Sequence, residues 1–309
     1  MNKQKLIILT GPTAVGKSNL SIKLAKTIGG EIISADSMQV YKYMDIGTDK
    51  IRTENMGGVP HHLIDFLEPT EDFNVVLFQK YVKEAMEGIY HRGHIPILVG
   101  GTGFYIQAIL YDIDFTTTDA DMTYRHGLEQ ISKMKGPEVL HQRLELVDPE
   151  SAKAIPVGNV KRVIRALEYY EKTGNKISDH NKEQHEKTSP YDFRYFVLTD
   201  HRDVLYERIE KRIDKMIEEG LEEECKKLLE LGVEPQMTSM QGLGYREMMG
   251  YLNGEYDLER AIYLIKRNTR HFAKRQLTWF RREKDVIWVD KSEYNRDDAQ
   301  VLETILAKI

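Results

Sequence analysis

GPTAVGKS, residues 11–18, decides the fold of this 309-residue chain. The stretch fits G-x-x-x-x-G-K-[ST], a loop that wraps a phosphate chain. Gly11 and Gly16 let the backbone turn tightly and approach the anion. The N–H groups of Thr13, Ala14, Val15, Gly16, Lys17 and Ser18 then point inward, at the positive end of the next helix. Lys17 adds a point charge on the phosphates, and Ser18 offers its hydroxyl to a magnesium ion. The setting agrees. LIILT at 6–10 is an apolar run suited to a buried strand, and residues 19–28 put Leu20, Leu24, Ala25 and Ile28 on one helical face that Gly29 and Gly30 end. The loop implies a bound di- or triphosphate and leaves open whether that is ATP.

Working outward, EIIS at 31–34 reads as a second strand, followed by Asp36, Ser37, Met38 and Gln39. Ligands of open parallel sheets gather at the carboxyl ends of strands, which puts Asp36 and Ser37 beside the loop. An Asp there serves chemistry or caps the next turn. IPILV at 95–99 is a third strand, ending in Gly100, Gly101, Thr102 and Gly103. An ATPase carries a magnesium-holding Asp at such a tip. Here Thr102 offers a hydroxyl to an oxyanion, or merely joins strand to helix. YDFRYFVLT at 191–199 is a return strand with Arg202 just past it. Arg202, Arg208 and Arg212 follow at roughly helical spacing. Salt bridges to neighbouring Glu explain all three, and an arginine at the strand end equally neutralises a leaving phosphate. Adjacent His61 and His62 point apart with no third ligand nearby, so a packed loop is expected rather than a metal site.

The character changes at Thr116. TTTDAD at 116–121 reads as a linker, and the next seventy or so residues are polar and helical. Helices are expected at 121–135, at 137–147 and, capped by Asn159, from Val160 to a stop at Gly174. In the last, Val160, Val163, Ile164, Leu167 and Tyr170 form an apolar stripe, with Lys161, Arg162 and Arg165 largely opposite. Residues 177–190 read as a polar loop. After the return strand come two helices broken at Gly220, a glycine-rich turn over 236–246, and a long helix from Asp257 to about 283. This long helix carries Lys274, Arg275, Arg281 and Arg282 among Tyr263, Phe272, Trp279 and Phe280, which suits a nucleic-acid backbone plus stacking, or a solvated helix with an aromatic core face. The expected fold class is α/β: a P-loop, nucleotide-kinase-like parallel sheet core over 1–115 and 191–309, with an inserted all-helical domain over 116–190.

Composition is ordinary for a globular protein, at 41% hydrophobic and 30% charged residues. A net charge of −5 argues mildly against a general nucleic-acid binder, though local basic clusters act within about 10 Å at 0.1 M salt. No apolar run is long enough to span a membrane. The early first strand leaves no room for a signal peptide. The single cysteine, Cys225, fits a reducing compartment, so a cytoplasmic location is expected.

Taken together, GPTAVGKS at 11–18, ADSMQVYKYMDIGT at 35–48, PHHLID at 60–65, LVGGTGFY at 98–105, KRVIRALE at 161–168, QGLGYRE at 241–247 and KRQLTWFRR at 274–282 resemble the tRNA dimethylallyltransferases (tRNA isopentenyltransferases) in their bacterial form. The one Cys cannot build the zinc-finger extension of eukaryotic members. The resemblance implies transfer of a dimethylallyl group from dimethylallyl diphosphate to adenosine 37 of the tRNA anticodon loop, releasing pyrophosphate. Lys17, Thr102, Arg202 and magnesium at Ser18 would neutralise the leaving group, and Asp36 would take the proton of the acceptor amine. The tRNA would be contacted by Asp36, Ser37, Met38, Gln39 and Thr102, by Lys161, Arg162, Val163, Ile164 and Arg165, by Gln241, Gly242, Leu243, Gly244, Tyr245 and Arg246, and by Lys274, Arg275, Gln276 and Arg281. The insertion would close over the anticodon stem. Arg125 would touch donor or tRNA, or simply pair with an acid. The expected partners are tRNA and dimethylallyl diphosphate, with the chain a monomer. Two competitors are a P-loop small-molecule kinase, which would hydrolyse ATP, and a non-catalytic RNA-binding P-loop protein, which would not need Asp36.

Overall fold

A computed structural model of the chain describes residues 3–115 and 122–309. The expected linker at 116–121, with the domain boundary at Thr116, lies outside the described residues. Two compact units are present: Met1–Leu110 with Pro190–Ile309, and Tyr111–Ser189.

The first unit begins with β1 (Lys5–Thr10), the phosphate loop and α1 (Lys17–Ile28). Next come β2 (Gly30–Ala35), the short β3 (His61–His62), α2 (Val75–His91), β4 (Ile95–Gly100) and α3 (Gly103–Leu110). Asn74 caps α2 by accepting from Val76 N (3.0 Å) and Leu77 N (3.1 Å). His61 and His62 are strand rather than loop, because their backbone pairs in parallel with Ile32 and Ile33 of β2.

The second unit holds α4 (Met122–Lys135), α5 (Pro137–Val147), α6 (Pro149–Ala154), α7 (Val160–Thr173) and α8 (Ile177–Glu186). Leu128, Leu140, Leu144, Val163, Ile164 and Leu167 form its core. The polar loop expected over 177–190 is helical through Glu186. Its residues are adequate helix formers once the first turn is fixed. Buried Asp148 fixes it, accepting from Ser178 N (3.0 Å) and Ser178 Oγ (2.8 Å).

The first unit resumes with β5 (Asp192–Thr199), α9 (Arg202–Glu218), α10 (Leu221–Glu230), α11 (Tyr245–Leu252), α12 (Leu258–Phe280), β6 (Val286–Asp290) and α13 (Asp298–Leu306). The six strands run parallel in the order β3-β2-β4-β1-β5-β6. Ile7, Leu9, Ile97, Phe196 and Leu198 from the sheet pack with Leu20 and Leu24 of α1 and with Val301 and Ile305 of α13. Each such side chain contributes about 1.5–3 kcal/mol by leaving water. This order sets the carboxyl ends of β1, β4 and β2 side by side, so the phosphate loop, the Gly100–Gly103 turn and Asp36 become neighbours. No helix among the described residues is long and apolar enough to cross a membrane.

Candidate active site

The 11–18 loop leads straight into the start of α1. Gly16 takes left-handed backbone (φ 92°) at the N-cap of α1, where no side chain caps the helix. The first-turn N–H groups stay uncapped at the positive end of the helix. Lys17 Nζ folds over the loop and donates to the carbonyls of Gly11 (3.0 Å) and Pro12 (2.8 Å). Burial first, and the Arg212 guanidinium second, push its pKa down to about 8, against the opposite pull of the Asp36 and Asp49 carboxylates. Arg212 reaches in from α9. Its Nη2 donates to Thr13 Oγ1 (2.7 Å) and its Nη1 to Asp49 Oδ2 (3.0 Å). Its Nε is buried with no hydrogen-bond partner among the described residues. Two mutually repelling cations, offset in part by the Asp36 and Asp49 carboxylates, stand beside an uncapped helix start.

Asp36 divides its two oxygens. Oδ1 accepts from Met38 N (2.9 Å) and Gln39 N (3.4 Å), capping its own turn. The second oxygen takes no bond in that turn, so the capping and chemical roles are compatible. Thr102 N donates to Ala35 O (3.3 Å), and Thr102 O accepts from Tyr105 N (2.9 Å) and Ile106 N (3.2 Å) to start α3. The β4 turn thus lies against the end of β2.

Gln276 departs from expectation. It is 6% exposed, and its Oε1 accepts from Thr13 N (2.9 Å) while its Nε2 donates to Gly101 O (3.0 Å). Its amide ties the phosphate loop to the β4 turn, so it is no surface contact for tRNA. A Cβ on Gly101 would stand 2.2 Å from that amide nitrogen, which is why the turn needs glycine there. The Thr13 N–H is therefore spent on Gln276 rather than open to a phosphate.

The other expected tRNA contacts divide by exposure. Lys274, Arg275 and Arg281 are exposed on and just past α12, and Lys161, Arg162 and Arg165 on α7. Ser37, Met38, Gln39 and Leu243 are partly exposed, and Gln241 and Arg246 are exposed. The turn after β2 meets the glycine-rich turn: a Cβ on Gly242 would lie 3.0 Å from Met38 Sδ. Gly242 and Gly244 are buried. Val163 and Ile164 belong to the core of the second unit, so their side chains cannot face a ligand. Tyr245 is fully buried, with its hydroxyl on Glu224 (2.6 Å). Arg125 pairs twice with buried Glu168, Nε to Oε1 at 2.9 Å and Nη2 to Oε2 at 2.8 Å, so an acid claims it. Cys225 is buried, which pushes its thiol pKa up and leaves it inert.

Arg202 does not reach the loop. Its side chain is 76% exposed, 3.6 Å from Asp203 and stacked near Tyr206. Arg208 goes to buried Asp200 (3.2 Å), and Arg212 is the one that meets the loop. Position just past the strand favours Arg202, and no local pattern separates the three arginines. Asp49 carries no local signal either.

Fold and loop define a P-loop α/β protein with its glycine-rich loop at the carboxyl ends of its central strands. A family model described as IPP transferase matches residues 39–283, and one described as isopentenyl transferase matches residues 4–65. A tRNA dimethylallyltransferase of Lachnoclostridium phytofermentans is 57% identical over 302 residues, covering 98% of this chain and 96% of that protein. The crystal structure of the full-length tRNA isopentenylpyrophosphate transferase of Bacillus halodurans matches with a TM-score of 0.74 at 45% identity, covering 99% of this chain and 97% of the other. A eukaryotic dimethylallyltransferase crystallised acting on tRNA matches with a TM-score of 0.80 at 33% identity, over 93% of this chain and 74% of that one. The chain belongs to the tRNA dimethylallyltransferase (IPP transferase) family, a family of prenyl-transferring enzymes.

Proposed function

We propose that the protein transfers the dimethylallyl group of dimethylallyl diphosphate to the exocyclic amine of adenosine 37 in the tRNA anticodon loop. The observation that carries this reading is the pairing of Lys17 and Arg212 at an uncapped helix start, beside a carboxylate with an oxygen to spare. The bond between the allylic carbon and the diphosphate oxygen breaks, and its electron pair leaves with pyrophosphate. Lys17, Arg212 and the first-turn N–H groups of α1 stabilise that charge as it develops. The adenine amine is a poor nucleophile because its lone pair is delocalised into the ring. As the carbon–nitrogen bond forms, Asp36 takes the amine proton. The Thr102 hydroxyl stands at the adjacent strand end as a further donor to the anion.

A magnesium ion fits this loop as a cation carried mainly by phosphate oxygens. Among the described residues there is no group of three or more His, Cys, Asp or Glu able to hold a metal, whereas Ser18 is exposed on the first turn of α1. Ser18 would hold the ion, which supplies further neutralisation of the diphosphate.

For the acceptor, the adenine leaves its stack before reaction. Lys274, Arg275 and Arg281, with Lys161, Arg162 and Arg165, supply phosphate contacts that set register. The Met38 and Gln241–Arg246 turns stand next to the chemistry. We place the reaction in the cytoplasm with the chain as a monomer. Mass spectrometry of tRNA incubated with the purified protein and dimethylallyl diphosphate tests the reading. A gain of one five-carbon unit on the nucleoside at position 37 is expected. Unmodified tRNA together with steady phosphoryl transfer from ATP would make the protein a kinase instead.

A further inference from the structure

Glu224, in the first turn of α10, gathers four donors onto one carboxylate. Oε2 accepts from Asp45 N (2.9 Å) and Ile46 N (2.8 Å), and Oε1 from Gly47 N (3.0 Å) and Tyr245 Oη (2.6 Å). Three successive backbone N–H groups closing on one anion form a nest, and charge makes each bond stronger than a neutral one. The fit is tight, since a Cβ on Gly47 would stand 2.5 Å from the Tyr245 ring. Two residues on, Asp49 N donates to Ile46 O (3.0 Å), and Asp49 adopts a left-handed backbone (φ 52°). That turn delivers its carboxylate to Arg212, whose other arm holds the Thr13 hydroxyl. The path runs from Glu224 through loop residues 45–49 to Arg212, which also holds Thr13.

We propose that Glu224 is a positioning residue for the diphosphate site: by clamping the 45–47 backbone it sets Asp49, and Asp49 aims Arg212 at the anion. This rests on the reading of the 11–18 loop as a diphosphate site. A purely structural role predicts a different response. Lys50 anchors the same loop independently, donating to Tyr41 O (2.7 Å), Asp45 Oδ1 (2.6 Å) and Asp65 Oδ1 (2.8 Å). Losing Glu224 therefore loosens the stretch that carries Asp49 without releasing the loop.

The test is a double-mutant cycle on inorganic pyrophosphate affinity, measured by calorimetry with the full chain. Glu224→Gln puts an amide N–H against backbone donors, and Asp49→Asn weakens the hold on Arg212. Each is expected to weaken binding about ten-fold, and the double variant about ten-fold rather than a hundred-fold, because both act through one anchor. The same variants should raise KM for dimethylallyl diphosphate and also lower kcat, because Arg212 acts on charge that grows as pyrophosphate leaves. Should Glu224→Gln not fold, Glu224→Asp keeps the charge, draws the carboxylate back from the 45–47 N–H groups and carries the same cycle. Multiplying effects, or wild-type pyrophosphate affinity in the Glu224→Gln or Glu224→Asp protein, would overturn the positioning role. A wild-type protein that does not bind pyrophosphate would instead overturn the diphosphate reading itself.

Discussion

The two ends of the sheet carry charge clusters of opposite design. At the amino end, Glu31 opens β2 and is 1% exposed. Arg92 grips it with two hydrogen bonds (2.8 and 2.7 Å), and His62 Nε2 (2.6 Å) and His94 Nδ1 (2.7 Å) complete the ring. Every demand of that carboxylate is met inside the protein. At the carboxyl end, Lys17 and Arg212 repel one another, and Arg212 Nε has no partner among the described residues. A closed cluster stabilises the fold, whereas an open one stores unfavourable interaction that a ligand relieves. The difference separates a structural from a functional charge cluster without reference to any relative.

The largest effect should come from the open end. Asp36→Ala is expected to cut prenyl transfer by ~10²–10⁴-fold while tRNA still binds, since proton removal is lost and the phosphate contacts remain. Single-turnover transfer and a filter-binding titration measure the two. Undiminished transfer would remove Asp36 from the base role and leave only its turn cap.

The closed end should respond in stability and not in turnover. The Arg92 hydrogen bonds, chiefly, draw the Glu31 pKa down to about 2 from its ordinary 4.5. A carboxyl depressed by folding lends stability above its unfolded pKa and loses it as pH falls towards the folded one. Between pH 4.5 and 2, about 3 kcal/mol should disappear from the unfolding free energy for this group. Urea melts across that window should show the slope in the wild type and lack it in Glu31→Gln. At neutral pH Glu31→Gln should keep turnover within about two-fold. A large loss of turnover would break the contrast between the two ends.

Arg212→Ala sharpens the contrast within one helix. It removes a charged donor from the anion site, and pyrophosphate should bind ~10–100-fold more weakly. Arg202→Ala, at the exposed start of α9, should change affinity by less than about two-fold. Equal effects would mean that Arg212 does not act on the anion directly.

What was legible in the sequence was local. The 11–18 loop, the strand before it and the helix after it lie within one short stretch, and their spacing alone implies the parallel core. The places of Asp36 and Thr102, just past β2 and β4, are legible because an apolar run followed by polar or glycine residues marks a strand end. The missing parts are pairings across long separations. Arg212 meets Asp49 across 163 residues and Thr13 across 199, and Gln276 meets Thr13 across 263. No local pattern encodes such contacts, so neither the reach of Arg212 to Thr13 nor the buried Gln276 clip can be read from the sequence. The helix over Ile177–Glu186 was missed likewise, since Asp148, which anchors it, stands 30 residues earlier. Val163 and Ile164 teach the reverse lesson. Their apolar stripe already marks their side chains as core, which leaves only their backbone for the tRNA contact that the resemblance implies.

The finest probe of the open end is the charge on Lys17, because one group should produce two slopes of opposite sign. Its folded pKa, about 8, lies below its ordinary 10.5. Between those values the unfolded chain holds more protons than the folded one, so stability of the unliganded protein should rise with pH in that window. A bound diphosphate favours the charged amine, so binding takes up a proton above pH 8 and pyrophosphate affinity should fall, by up to about ten-fold per pH unit. Titrations in buffers of different ionisation enthalpy count the proton, and Lys17→Arg, which does not titrate, corrects for the ligand's own ionisation. If affinity stayed as flat in the wild type as in Lys17→Arg, the lysine would be fully charged before the anion arrives. The repulsion that distinguishes this end of the sheet from the Glu31 end would then be absent.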